Sequence, residues 1–160
     1  MPVCNLSELP GLIMKGQCLL GLDPGSTVIG IAVCDPGLKV ASPLTSITRK
    51  KFTDDAAALI KIMQERNIGG LVVGLPKNMD GSEGASAQSA RAFVRNLLER
   101  GNLPDPNLPV AFWDERLSSA AIERFLVEDD MTRKRRDQVI DKAAAAYILQ
   151  GALDALTNMR

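Results

Sequence analysis

Histidine is absent from the 160 residues of this chain. Its absence excludes the Ser-His-Asp and Cys-His catalytic arrangements and most zinc sites, because each of them needs an imidazole. Any acid–base or metal chemistry must therefore rest mainly on carboxylates, lysine, tyrosine or bound water.

Cysteine and long apolar runs are also scarce. The three cysteines, Cys4, Cys18 and Cys34, show no C-x-x-C spacing, and their odd number is typical of a reducing compartment. Cys18 and Cys34 stand in apolar runs and are expected in the core. No run approaches the roughly 20 apolar residues that cross a bilayer, and the N-terminus lacks a basic signal region. We expect a cytoplasmic protein with no membrane partner.

Charge of neither sign is in excess. Lys and Arg together number 19, as do Asp and Glu, so only a local basic patch can point to a nucleic acid. Aromatic residues make up 4% of the chain, which leaves few rings for base stacking. We expect Trp113 in the core and Tyr147 against the sheet. The length suits one folded domain, placed at residues 17–158 after a loose extension of residues 1–16.

Apolar runs and turn residues predict the order of elements. Two short strands separated by Asp23-Pro-Gly25 form a hairpin, and a third strand follows. A helix, a buried strand, a glycine-rich loop, a second helix and a fifth strand come next. The chain then continues with a helix, a mobile polar segment and a final helix. The predicted bounds after the second helix are Val110–Trp113, Ser118 or Ser119 to Val127, Glu128–Arg136 and Val139–Leu156.

Antiparallel strands followed by alternating strands and helices predict an α/β fold. We expect an RNase H-like mixed five-stranded sheet, antiparallel over its first three strands and flanked by helices.

Acidic residues stand where predicted strands end: Asp23 after the first, and Asp114 and Glu115 after the last. Ligands gather outside strand ends in such sheets. Asp141 is expected in the first turn or so of the final helix, on the border of its apolar face. Clustered carboxylates repel one another unless a cation neutralises them, and oxygen ligands suit Mg²⁺ or Mn²⁺. Two such ions can activate a water molecule to attack a phosphodiester bond.

Each acid taken alone has a plainer explanation. Asp23 is a common turn residue before Pro-Gly, Asp114 and Glu115 are favoured near a helix start, and Asp141 suits a solvated first turn. The combination of the acids carries the metal-site hypothesis.

Four segments resemble the signatures of one family, the YqgF/RuvX family of Holliday junction resolvases and pre-16S rRNA nucleases. They are, in order, Leu20–Asp35 (LGLDPGSTVIGIAVCD), Val73–Gly84 (VGLPKNMDGSEG), Trp113–Ser119 (WDERLSS) and Val139–Ala145 (VIDKAAA). The resemblance implies an RNase H-like, metal-dependent endonuclease that matures the 5′ end of pre-16S rRNA or resolves branched DNA. It implies Asp23, Glu115 and Asp141 as catalytic, metal-binding acids, with Asp114 as a further ligand. The family usually has a basic residue where Thr27 or Val28 stands here.

Several basic and amide side chains are candidates for nucleic-acid contacts. The glycines of the Pro76–Gly84 loop let backbone N–H groups approach a phosphate. Basic clusters are usually solvated surface, but beside a metal site they attract a polyanion. The candidates are Lys77, Asn78, Arg116, Arg133, Lys134, Arg135, Arg136 and Lys142. A second basic cluster is Arg49-Lys-Lys51.

Two other functions stay open from the sequence. One is a non-catalytic nucleic-acid-binding module in ribosome assembly. The other, less favoured, is an actin-like ATPase or sugar-kinase module, because Asp23–Gly30 resembles the phosphate-binding hairpin of those proteins. They need two such domains, and this chain has room for one. Monomer and homodimer both remain open.

Overall fold

The computed structural model describes residues 3–78, 80–105, 107–114 and 133–158, with residues 133–141 described by their backbone alone. The strands are β1 Cys18–Pro24, β2 Val28–Cys34, β3 Ala41–Thr48, β4 Ile68–Leu75 and β5 Val110–Asp114. The helices are α1 Leu9–Leu12, which follows the 3-10 turn Leu6–Glu8, α2 Phe52–Glu65, α3 Ala85–Arg100 and α4 Arg133–Asn158.

The sheet has the strand order β3-β2-β1-β4-β5. Strand β2 runs antiparallel to both β1 and β3, whereas β4 runs parallel to both β1 and β5. The predicted mixed five-stranded sheet, antiparallel over its first three strands, is therefore confirmed. Because β1, β4 and β5 run the same way, they end together at Pro24, Leu75 and Asp114. We call this edge of the sheet the carboxyl edge.

Helices cover both faces of the sheet. A Cβ atom built on Gly21 of β1 would lie 2.8 Å from Cβ of Leu149 and 3.0 Å from the carbonyl oxygen of Ala145, so α4 packs directly on β1. On the other face, Phe112 of β5 packs with Leu75 and with apolar residues of α3. Covered on both sides, β4 is buried along its whole length, as its continuous apolar sequence predicts.

The final helix begins at Arg133, so the prediction of a start at Val139 and of a mobile segment reaching Arg136 is wrong for residues 133–138. Arg, Lys and Gln are good helix formers, and a polar first turn needs no apolar face. Asp141 consequently lies two turns inside α4 and not in its first turn. The helix predicted to end at Val127 lies outside the described residues.

The N-terminal segment is folded onto the sheet, and the expectation of a loose extension is wrong for residues 3–12. The backbone N–H of Cys4 donates a hydrogen bond to the carbonyl oxygen of Val110 at 2.8 Å. The side chain of Leu9 is fully buried in the main core. Cys4, Leu6 and Ile13 are partly buried against the same core, and burial of Leu9 alone contributes about 1.5–3 kcal/mol.

The thiols of Cys18 and Cys34 are buried, as predicted. The backbone N–H of Leu19 donates to Sγ of Cys34 at 3.2 Å. Burial raises the pKa of the Cys34 thiol to about 11, so it stays protonated at neutral pH. Trp113 packs against the core, but Tyr147 is 55% exposed, so its predicted packing against the sheet is wrong. Within the described part of the chain, no helix combines the length and apolarity that crossing a membrane needs.

Candidate functional site

Asp23 lies at the carboxyl edge, where β1 turns into β2. It pairs with Gly30 across the hairpin, and its side chain is half-buried. The backbone N–H of Gly25 donates to the carbonyl oxygens of both Asp23 and Val28 at 3.0 Å, which closes a tight turn. A Cβ atom on Gly25 would lie 2.7 Å from the oxygen of Val28, so the turn needs a glycine there.

A cleft of about 380 Å³ opens beside Asp23, between the β1–β2 turn and the start of α3. Its lining includes the hydroxyl-bearing side chains of Ser26, Ser86 and Ser89. The lining residues are Asp23, Pro24, Gly25, Ser26, Pro76, Ala85, Ser86 and Ser89. The space is open to solvent at the edge where the first strand and the loop after β4 meet, which suits a group carried on a larger ligand.

The direction of α4 follows from Gln150. Its Nε2 donates to the carbonyl oxygen of Lys39 at 2.9 Å, and its Oε1 accepts from the backbone N–H of Ala41 at 2.8 Å. Ala41 begins β3 and pairs with Cys34, so this contact lies at the edge opposite to Asp23. The N-terminal part of α4 therefore extends toward the carboxyl edge.

Asp141 and Asp23 can be compared by their distances, each along its own element, from the contact between α4 and β1. The backbone of Asp141 is four residues before Ala145, a rise of about 6 Å along the helix. Asp23 is two residues after Gly21, a rise of about 6.6 Å along the strand. Because Gly21 contacts Ala145, both acids stand about the same distance from that contact, on the side of the carboxyl edge. Asp23 also shares the sheet face of Gly21, which is the α4 face.

Asp114 also reaches the carboxyl edge, as the last residue of β5 and the partner of Leu75. Successive strand residues face opposite sides of a sheet. Trp113 contacts Gly151 of α4, with Nε1 3.0 Å from where a Cβ atom on Gly151 would stand, whereas Phe112 packs with residues of α3. Asp114 thus shares the α3 face with Phe112, opposite to the face of Asp23.

The remaining predicted site residues differ in how much the structure describes. Glu115 and Arg116 lie outside the described residues. The first turn of α4 contains Arg133, Lys134, Arg135 and Arg136, which the structure describes by their backbone alone. Lys142 is half-buried next to Asp141. Among the described side chains, no group of three His, Cys, Asp or Glu residues is placed to hold a metal. Two of the four predicted metal ligands, Glu115 and Asp141, are not among those side chains.

The Pro76–Gly84 loop is ordered by its own hydrogen bonds where the structure describes it. The backbone N–H of Asn78 donates to the oxygen of Ser82 at 2.9 Å, and Nδ2 of Asn78 donates to Oγ of Ser82 at 3.0 Å. Oγ of Ser82 donates to Oδ1 of Asp80 at 2.6 Å. Lys77 is half-buried at the start of this loop. Lys77 and Asn78, which are predicted to contact a phosphate, therefore belong to a loop with a defined conformation.

An ion pair between Glu83 and Arg91, which the sequence analysis did not predict, connects the Pro76–Gly84 loop to α3. Arg91 donates two hydrogen bonds to Glu83, from Nε to Oε1 at 2.6 Å and from Nη2 to Oε2 at 2.9 Å. Its guanidinium also lies 4.8 Å from the ring centroid of Phe112. The hydrogen bonds from Arg91 hold the pKa of the Glu83 carboxyl below its usual value. The eight-residue separation matches no helical spacing, so no local pattern signals this pair.

We expect Glu83→Gln to loosen the loop, because it removes the charge that Arg91 holds. A carboxyl whose pKa is lower in the folded state stabilises the fold above its unfolded pKa and loses that contribution as pH falls through the folded value. Backbone amide exchange at Asn78 and Gly81 should therefore be faster than in the wild type at neutral pH and equal to it in acid. Glu99→Gln is the control, because Glu99 is an exposed acid near the other end of α3. A difference that persists in acid would contradict this role of the pair.

Comparisons with known proteins agree on one family. A family model described as "RuvX: Holliday junction resolvase" matches residues 17–155. A protein of Rhodospirillum centenum named "putative pre-16S rRNA nuclease" is 56% identical over 156 residues, covering 98% of this chain and 83% of its own. Its namesake in Paracoccus denitrificans is 62% identical over 152 residues, covering 95% and 93%.

Solved structures share the fold at low identity. The T. thermophilus RuvC in complex with a Holliday junction substrate has a TM-score of 0.51 at 18% identity, covering 89% of this chain and 96% of that one. The Fowlpox virus resolvase in complex with its substrate junction has a TM-score of 0.51 at 9% identity, covering 88% and 99%. The expected RNase H-like fold is confirmed.

Proposed function

Since this chain belongs to the RuvX family of Holliday junction resolvases, we propose that it is a cytoplasmic endonuclease that hydrolyses phosphodiester bonds with Mg²⁺ or Mn²⁺. The catalytic and metal-binding acids are Asp23, Glu115 and Asp141. One observation supports this most: Gly21, two residues before Asp23, contacts Ala145, four residues after Asp141.

The donor chemistry of the proposed site fits a small divalent cation. Carboxylate oxygens are the preferred ligands of Mg²⁺ and Mn²⁺, and the chain has no imidazole that would favour zinc. Three carboxylates brought together there would repel one another and so favour a bound cation. When bound, the cation lowers the pKa of water and stabilises the charge that develops on the phosphate. Asp114 is a weaker ligand candidate than these three acids, because it lies with Phe112 on the sheet face opposite to that of Asp23.

The chain's own residues around this edge would hold the substrate backbone. Lys77, the ordered loop after β4 and the cleft side chains of Ser86 and Ser89 lie on the α3 side. Lys142 and the cluster Arg133–Arg136 belong to α4 and would supply positive charge there, and Arg116 is a further proposed phosphate contact. Phosphate contacts of this kind position a nucleic acid without reading its sequence. With few aromatic residues in the chain, we propose recognition by backbone and shape.

The proposed substrate is the 5′ region of pre-16S rRNA, the RNA named in the relatives' description, with branched DNA as the alternative that the family's description suggests. The test is a side-by-side cleavage assay on precursor rRNA and a four-way DNA junction, with Mg²⁺, Mn²⁺ or EDTA. We expect cleavage of the rRNA with either ion and none with EDTA. Cleavage of the junction alone would overturn the rRNA assignment. Binding without cleavage in any arm would instead support a non-catalytic assembly module.

A further inference from the structure

Arg49 connects the end of β3 to the turn that follows Asp23. Its backbone N–H donates to the carbonyl oxygen of Thr27 at 2.8 Å. Its side-chain Nη1 donates to the carbonyl oxygen of Gly25 at 2.9 Å. Both acceptors belong to the β1–β2 turn, residues 25–27, which begins two residues after the proposed catalytic acid.

The guanidinium of Arg49 is held from its other side by α3. Its Cζ atom lies 5.2 Å from the ring centroid of Phe93, a side chain that is only 3% exposed. Phe93 in turn makes an edge-on contact with Phe52, with centroids 6.3 Å apart and planes at 74°. A cation over a buried ring is attracted to it and loses freedom to move. Arg49 therefore ties the turn to a rigid part of the core.

The turn needs such a tie because it consists of Gly25 followed by two exposed residues. Glycine has wide conformational freedom, and Ser26 and Thr27 are exposed and so pack on little. We propose that Arg49 is a positioning residue, which fixes the β1–β2 turn and thereby the backbone of Asp23 at the carboxyl edge. The catalytic part of this inference rests on the proposed nuclease function.

Arg49→Met should loosen the turn and slow catalysis without weakening substrate binding. A displacement of about 1 Å in a reacting group costs up to about 10²-fold in rate, so we expect kcat to fall about 10- to 100-fold with KM within twofold. Exchange of the Gly25 amide should become at least about tenfold faster, since opening of the turn is what exposes that N–H. Arg49→Lys keeps one donor and should restore part of both effects.

Arg100→Met is the matched control. Arg100 lies over Phe52 with its Cζ 5.7 Å from the centroid, so this change removes the same type of contact from the same aromatic pair. No described hydrogen bond joins Arg100 to the β1–β2 turn. We expect kcat and Gly25 exchange to stay at the wild-type values, and the thermal midpoint to fall by no more than in Arg49→Met, which also loses the hydrogen bond to Gly25. Comparison of the two variants separates the loss of a cation over a ring from the loss of the turn contact.

Two results would overturn the inference. One is unchanged Gly25 exchange in Arg49→Met. The other is a raised KM with a shallower salt dependence at unchanged kcat, which would make Arg49 a phosphate contact. If the wild type cleaves no substrate, the nuclease proposal fails, but the exchange comparison still decides whether Arg49 fixes the turn. If Arg49→Met does not fold, Arg49→Lys against Arg100→Met gives the same decision from Gly25 exchange.

Discussion

Asp23→Asn is expected to lower metal-dependent cleavage by about 10³-fold, the scale of removing one preorganised electrostatic group from an active site. The substitution keeps the size of the side chain and removes the charge that would hold the cation. Because Asp23 is only half-buried at the end of β1, the fold should tolerate the change. Relief of repulsion among the acids should leave the metal-free thermal midpoint equal to or above that of the wild type. Single-turnover cleavage and thermal unfolding measure the two effects.

Glu65→Gln is the control for this prediction. Glu65 is an exposed acid at the end of α2, three residues before β4 begins, so its replacement removes one charge at the edge opposite to Asp23. Cleavage by this variant should match that of the wild type. Undiminished cleavage by Asp23→Asn would show that the chemistry takes place elsewhere.

Gly21→Ala is expected to destabilise the protein by about 1–3 kcal/mol, the usual cost of overpacking a core. The added methyl group would lie 2.8 Å from Cβ of Leu149 and 3.0 Å from the carbonyl oxygen of Ala145. Backbone and a Cβ atom cannot rotate away, so α4 must move off β1. Since α4 carries Asp141 and β1 carries Asp23, cleavage should fall as well. Denaturant unfolding, together with cleavage well below the unfolding midpoint, separates the two effects.

Gly11→Ala tests the same change where there is space for it. No atom lies within 4 Å of a Cβ built on Gly11, and the residue belongs to α1, where alanine is the better helix former. Its unfolding free energy should stay within about 0.5 kcal/mol of the wild type or rise slightly. A loss in Gly11→Ala as large as that in Gly21→Ala would contradict the steric explanation.

Local patterns were sufficient for most of the fold. The apolar runs predicted five strands in the right order, and Asp-Pro-Gly predicted the first turn, because these signals arise from neighbouring residues. The start of α4 was missed because its first turn is charged. The docking of residues 3–12 was missed because Pro10 and Gly11 interrupt the few apolar residues, Leu6, Leu9 and Ile13, that pack on the core.

The candidate site was predictable only in part. The position of Asp23 at a strand end follows from the sequence, but its shared face with α4 depends on the contact of Gly21 with Ala145. The contacts that fix the surrounding loops join residues 8 and 24 positions apart, Glu83 with Arg91 and Gly25 with Arg49. Such pairs are products of the tertiary fold, and no spacing rule identifies them.

The central claim is that divalent cation binds where the carboxylates of Asp23, Glu115 and Asp141 meet, and paramagnetic broadening by Mn²⁺ tests it most directly. In an amide NMR titration, substoichiometric Mn²⁺ should first broaden the signals of Leu22, Asp23, Gly25 and residues 140–142. The amides of Ala41 and Gln150, at the opposite edge, should keep their intensity, and Asp23→Asn should greatly reduce the effect. Broadening centred on Ala41 and Gln150, or spread evenly over the chain, would contradict the claim.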